Sequence, residues 1–306
     1  MKSTLDMTTP SIILATALLL ATCSSSGPAT KIGSTGYDLS KPTSISVLPD
    51  TLHEVSGVTD IDARTVACIQ DENGILFLFD LTTNAIKEQF QFHIDGDYEG
   101  VTRVGDAMYI LRSDATLFEV DDYRRKDFTL RTYPTAIPAR NNEGLCYDEA
   151  NNRLLIGCKS KLGKGPEFKD KRAIYAFDLA TKTLLPDPVF EFDVQAIKEF
   201  AMARKIDLPT RSRKKKGVPV EEPMLKFMTS AISVHPIRNE LFLLSAADHL
   251  FFIFDMNGNV LHMEPLDPKV FNKAEGITFL DNGDMLITNE GQDHKPTLLR
   301  FTYREP

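Results

Sequence analysis

Three glutamates open short glycine-containing segments at nearly equal intervals: Glu99-Gly100-Val101, Glu143-Gly144-Leu145 and Glu275-Gly276-Ile277. Ser56-Gly57-Val58 and Ser230-Ala231-Ile232 extend the series, and Glu54 stands just before its first member. The second residues of the five segments are separated by 43, 44, 87 and 45 positions. Another polar set closes the apolar run that follows each segment: Asp71 with Glu72, Ser113 with Asp114, Lys159, Ser245 with Asp248, and Asn289 with Glu290. Carboxylates gathered this closely cannot all stay ionised unaided. Either some hold their protons or a cation sits among them. An oxygen-only donor set suits a hard ion, and Ca²⁺ tolerates irregular geometry best. Glu54, Asp71, Glu99, Glu143 and Glu275 are therefore the expected metal ligands. The six histidines (53, 93, 235, 249, 262 and 294) show no metal-binding spacing, which argues against zinc. Glu72, Asp114, Ser245 and Glu290 are candidates for ligand binding, with Lys159 as the residue for an anionic group. Two other roles stay open for the glutamates. They could simply bond the backbone of the neighbouring repeat, or one could activate water in a hydrolytic reaction.

Such residues need a scaffold that returns each of them to one place. The segments recur about every 44 residues, and each is followed by short apolar strands separated by Asp, Asn or Gly turns. Four short strands per unit of this length predict a β-propeller blade. The expected first blade continues with Val66 to Ile69, Ile75 to Leu81 and Ile86 to Phe92. The fourth continues with Leu241 to Leu244, Leu250 to Phe254 and Val260 to Met263. The 87-residue interval carries insertions rather than a sixth blade. Residues 160–172 form a polar excursion, 194–206 have helical spacing, and 211–217 read as a solvated basic loop. The last unit supplies three strands, and Ser44 to Leu48 precedes the first unit without a partner. Pairing the two closes the ring. The expected architecture is all-β, a five-bladed propeller closed by an N-terminal strand, with a helical insertion at 194–228 between blades 3 and 4. An open sandwich is the alternative. In a propeller, inner-strand starts and second-strand ends share one face, so the acidic residues converge on one mouth of the channel.

The amino-terminal segment reads as an address. Residues 1–22 contain a ten-residue apolar run, Ile12 to Ala21, too short to span a hydrocarbon layer as a helix. It leads into Leu20-Ala21-Thr22-Cys23, which resembles a lipobox with Cys23 as the lipidated residue. Residues 23–42 are expected to form a tether and 43–306 the propeller. The expected location is the bacterial cell envelope, membrane-anchored by lipid and facing the periplasm or cell surface. The net charge of −8 excludes an ordinary nucleic-acid binder. Expected partners are the membrane, through the lipid, and an anionic small molecule or an envelope protein. Cys68, Cys146 and Cys158 lie in apolar runs and read as buried free thiols.

Several motifs together resemble a known family. They are Glu54-Val55-Ser56-Gly57, Gln70-Asp71-Glu72-Asn73-Gly74, Gly96-Asp97-Tyr98-Glu99-Gly100, Arg153-Leu154-Leu155 with Lys159, Ser230 to Pro236, Leu244-Ser245-Ala246 and Asn289-Glu290-Gly291. In this order, over about residues 44 to 304, they resemble the SdiA-regulated periplasmic propellers. The resemblance implies a propeller, calcium binding and a link to calcium homeostasis or envelope adaptation. Some relatives are phytase-like, which implies a calcium-dependent hydrolase as the alternative to a binding protein. The long insertion and the missing glutamate at Ser230 depart from the pattern.

Overall fold

Each repeat places two strongly apolar strands between polar turns, and such strands must be covered on both faces. In the computed structural model, which describes residues 35–215 and 218–305, neighbouring blades supply that cover. Strand β1 (Ser44–Val47) stands apart from the four strands that follow it. Blade 1 is β2 (Val55–Asp62), β3 (Thr65–Gln70), β4 (Ile75–Asp80) and β5 (Ala85–Gln91). Blade 2 is β6 (Tyr98–Val104), β7 (Ala107–Arg112), β8 (Thr116–Asp121) and β9 (Thr129–Pro134). Blade 3 is β10 (Asn142–Asp148), β11 (Arg153–Cys158) and β12 (Lys171–Asp178), with an outer strand split into β13 (Thr183–Leu184) and β14 (Phe190–Asp193). Pro186 and Pro188 lie in the split, and neither can donate to the ladder.

The insertion follows as helix α1 (Val194–Ala203) and a hairpin of β15 (Thr210–Lys215) and β16 (Val218–Pro223). The basic run read as a loop is thus mostly strand. Its residues 211–214 are exposed, as a solvated segment should be. Blade 4 is β17 (Ala231–Val234), β18 (Leu241–Ser245), β19 (Leu250–Phe254) and β20 (Val260–Pro265). Blade 5 is β21 (Ala274–Phe279), β22 (Met285–Asn289) and β23 (Thr297–Phe301). Strand β1 completes it, antiparallel to β23 with Ser44 opposite Arg300 and Val47 opposite Thr297. The inner strands β2, β6, β10, β17 and β21 contact one another around a full circle.

Five apolar clusters fill the five gaps between blades. Met108, Ile110, Phe118 and Val120 of blade 2 meet Ala67, Ile69, Leu76 and Leu78 of blade 1. The opposite faces of the same strands, with Tyr109, Leu111 and Leu117, meet Leu154, Ile156 and Cys158 of blade 3. This alternation follows from the period of two along a strand. Between blades 3 and 4 the gap also takes Val194, Ile197 and Ala201 from α1. Asp193 caps that helix by accepting from Gln195 N at 2.9 Å and Ala196 N at 3.3 Å. Phenylalanines do the work of the absent tryptophans here: Phe192, Phe227, Phe252 and Phe254 contact one another in edge-on, tilted and stacked pairs.

Cys68, Cys146 and Cys158 are buried and free, and burial pushes the thiols of Cys68 and Cys158 up to about 12. The expected signal segment, the expected lipidated Cys23 and residues 23–34 of the expected tether lie outside the described residues. The remainder of that tether is anchored. Tyr37 and Leu39 are buried between blades 4 and 5. The Tyr37 hydroxyl donates to the Gly283 carbonyl at 2.5 Å and bonds His235 Nε2 at 2.8 Å. Among the described residues, no helix is long and apolar enough to cross a membrane.

Candidate functional site

The recurring glutamates sit where their strands deviate from regular pairing. In β2, β6, β10 and β21 the register shifts at Ser56, Glu99, Glu143 and Glu275 respectively. A β-bulge leaves its extra residue unpaired and re-aims the side chain. The glycine that follows answers a second constraint. A Cβ on Gly57 would lie 2.9 Å from Val101 N, and one on Gly100 would lie 2.7 Å from Leu145 Cβ. On Gly144 it would lie 2.9 Å from Ile232 Cγ1. Inner strands approach too closely there for a side chain, so the axis narrows at this waist. About 10 Å³ remains between Ser56, Glu99, Glu143 and Glu275 and the residues below them, room for about one water molecule. The acidic mouth forms a cup above this narrow stretch. Blade 4 departs from this plan: β17 begins at Ala231 with regular pairing, and Ser230 precedes it.

The second-strand ends reach the same cup through a repeated backbone bond. Asp71 N donates to Glu54 O, Ser113 N to Asp97 O, Lys159 N to Asn141 O and Glu290 N to Lys273 O, at 2.9 to 3.3 Å. Blades 1, 2, 3 and 5 therefore each deliver a pair of side chains side by side. The ring serines, by contrast, are structural. Ser56 Oγ donates to Tyr98 O at 2.6 Å and Ser230 Oγ to Ala274 O at 2.8 Å, each in the next blade. Glu99, Glu143 and Glu275 make no such backbone bonds among the described residues. Lys159 is ion-paired with Glu143, and Lys273 with Glu290 and, at 3.6 Å, with Glu275.

Charge remains unbalanced after these pairs form. Desolvation, then Glu143, Asp97 and Glu275, push the Glu99 carboxyl up to about 9. Glu99 has no hydrogen bond or ion pair among the described residues. Desolvation and Glu275 raise Glu143 to about 8 despite Lys159, and burial raises Glu275. Desolvation, with Glu54, Glu290 and Glu72 as neighbours, raises Asp71 to about 6.

The expected metal ligands divide into two groups. Glu54 and Asp71 join Glu290 in a cluster whose ligand atoms all lie within 4.8 Å of one another. Asp71 Oδ1 in it is buried with no hydrogen-bond partner. Glu290 thus stands with the metal candidates rather than with the ligand-binding set. Glu99, Glu143 and Glu275 influence one another electrostatically, but they form no such tight cluster, and two of them are held by lysines. Glu72 is exposed on the rim beside Asp71. Asp114 is exposed and tied to Arg112 at 3.1 and 2.9 Å. Ser245 is fully buried, donates to Asp248 at 2.7 Å and accepts from Met228 N at 3.2 Å. Neither Asp114 nor Ser245 joins the acidic cluster, because each is engaged in its own local turn. Lys273 is the residue that the repeat reading passed over. Its signal was available, since it stands two positions before Glu275 as Glu54 does before Ser56.

Residues 216–302, spanning blades 4 and 5, match the protein family described as SdiA-regulated. The motif resemblance is met over that stretch. No curated protein sequence matches the chain. Among solved structures, the glutaminyl cyclase of Myxococcus xanthus is 13% identical with a TM-score of 0.55. The alignment covers 85% of this chain and 94% of that one. A streptogramin B lyase is 13% identical, covers 85% of this chain and 97% of that one, and has a TM-score of 0.45. At this identity the cyclase likeness is one of fold.

Proposed function

We propose that this chain is a calcium-binding propeller whose acidic cup receives a ligand or partner, held at the cell envelope by a lipid on Cys23. The observation that carries the reading is the Glu54–Asp71–Glu290 cluster with its unpartnered buried oxygen on Asp71. Three carboxylates offer up to six oxygens and no nitrogen or sulfur, which fits a hard divalent ion. Glu54 holds a backbone φ of 62°, in the left-handed region that costs a glutamate about 1–3 kcal/mol. A bound cation would offset the burial and the carboxylate repulsion that together raise Asp71, and leave Lys273 to neutralise Glu275. Lys159, across the cup, supplies a positive charge for an anionic group on the ligand.

A second reading, a calcium-dependent hydrolase, draws on Glu99. A carboxyl raised this far by burial and its acidic neighbours, within the field of Lys159, can serve as a general acid. The calcium ion would then polarise a phosphoryl or carbonyl oxygen.

One experiment addresses both. Thermal melts of the full-length protein should rise by several degrees in excess Ca²⁺ relative to chelator, as linkage requires. The Asp71→Asn variant should melt higher than wild type in chelator, because a repelled carboxylate is gone, yet show no calcium response. Coincident melts with Ca²⁺ and chelator would sink the calcium site. Turnover of phosphoesters or lactones by the loaded protein would favour the hydrolase over a pure binding role.

A further inference from the structure

The inner strands carry a second recurring residue, three positions after the first: Thr59, Thr102, Cys146, Ser233 and Thr278. Three residues of strand span about 10 Å, which takes these side chains past the narrow waist toward the opposite face. All five are buried, and all five line one cavity of about 550 Å³ at that face. A cavity of this size accommodates a small organic molecule.

Its polar groups are unevenly used. Thr59 Oγ1 accepts from Arg103 N at 3.3 Å. Thr278 Oγ1 donates to Asp60 Oδ1 and accepts from Asp60 N, both at 3.3 Å. Thr102 and Ser233 make no side-chain hydrogen bond among the described residues, so two hydroxyls stand free at the cavity floor. On the wall, Asp60 pairs with Arg103 at 3.4 Å, and Arg103 also donates to Asp60 O at 3.1 Å. Burial raises the Asp60 carboxyl, while Arg103 lowers it.

Charge and chemistry then select the occupant. Asp60, Glu149 and Asp281 line the cavity against Arg103 alone, which disfavours an anion. The imidazole of His235 is already bonded at both nitrogens. Nδ1 accepts from Ile237 N at 3.1 Å and Arg238 N at 3.2 Å, and Nε2 meets Tyr37. Burial lowers its pKa to about 4, so it remains neutral and unavailable as a base. Tyr147 adds a half-exposed aromatic ring to the wall. Free hydroxyls, a bridged carboxylate and an aromatic surface are what an uncharged polyol needs.

We propose that this cavity is a second binding site, separate from the acidic cup, for an uncharged polyhydroxylated molecule of one or two sugar rings. Saturation-transfer NMR on the full-length protein tests it, with glucose, N-acetylglucosamine, maltose and trehalose as probes. At least one should show saturable transfer. The Thr102→Val/Ser233→Ala variant keeps the side-chain shapes and should weaken that binding at least tenfold with its melting temperature unchanged. Asp71→Asn should leave sugar binding intact. No saturable transfer from any of the four sugars would overturn the proposal. So would equal binding by the hydroxyl variant, or loss of binding in Asp71→Asn instead, which would move the site to the acidic cup.

Discussion

Asp71 concentrates the electrostatics of the cup in one carboxyl. Its folded pKa of about 6 lies above the unfolded value of about 3.9, so between those limits the folded state holds a proton that the unfolded chain has lost. Stability in chelator should therefore fall as the pH rises from about 4 to about 6. Glu143 and Glu99, raised to about 8 and about 9, should extend the decline toward pH 9. Denaturant midpoints measured across this range check the sign. Asp71→Asn should flatten the acid part of the profile and leave the alkaline part. A stability that climbs with pH would contradict the geometry. At this scale the sequence was half legible. Carboxylates recur visibly, so their convergence could be read. Ser245 could not be sorted the same way, because only the fold decides whether a polar group faces a neighbouring turn or a shared cup.

The bulged inner strand is the element that makes the cup, and the glycine after each bulge sets how near two blades come. Gly100→Ala tests it. The added Cβ would lie 2.7 Å from Leu145 Cβ and 3.0 Å from Glu143 O. Neither can move without shifting β10, so the substitution should cost about 1–3 kcal/mol as an overpacking change, read by chemical denaturation. No loss would mean that adjacent inner strands slide apart freely. Gly105 supplies the contrast, since its φ of 58° suits glycine while a Cβ there meets nothing within 4 Å. Strand positions were legible from their apolar runs. The pairing of Thr210–Lys215 was not, because a hairpin exposed on its basic strand has no buried face to write a period of two into the sequence.

At the scale of the whole molecule, the ring depends on β1. It shields β23, and Leu48 just beyond it is buried between blades 5 and 1. Removing residues 1–48 should bare that edge, and size-exclusion and melting measurements should show aggregation and loss of a cooperative transition. A truncated monomer melting like the parent would mean that five blades close without their clasp. The blade number and this closure were legible because a repeat with a missing strand at one end and a spare strand at the other has one economical solution. The anchoring of Tyr37 was not, since a lone aromatic in a polar stretch has no periodicity. The narrow waist has its own corollary. With Ser56, Glu99, Glu143 and Glu275 lining a space of about 10 Å³, the axis holds about one water molecule at that level. The acidic cup and the cavity at the opposite face share the five inner strands that run between them. A ligand that shifts those strands at one end would thus be felt at the other as a mechanical displacement of the same five spokes.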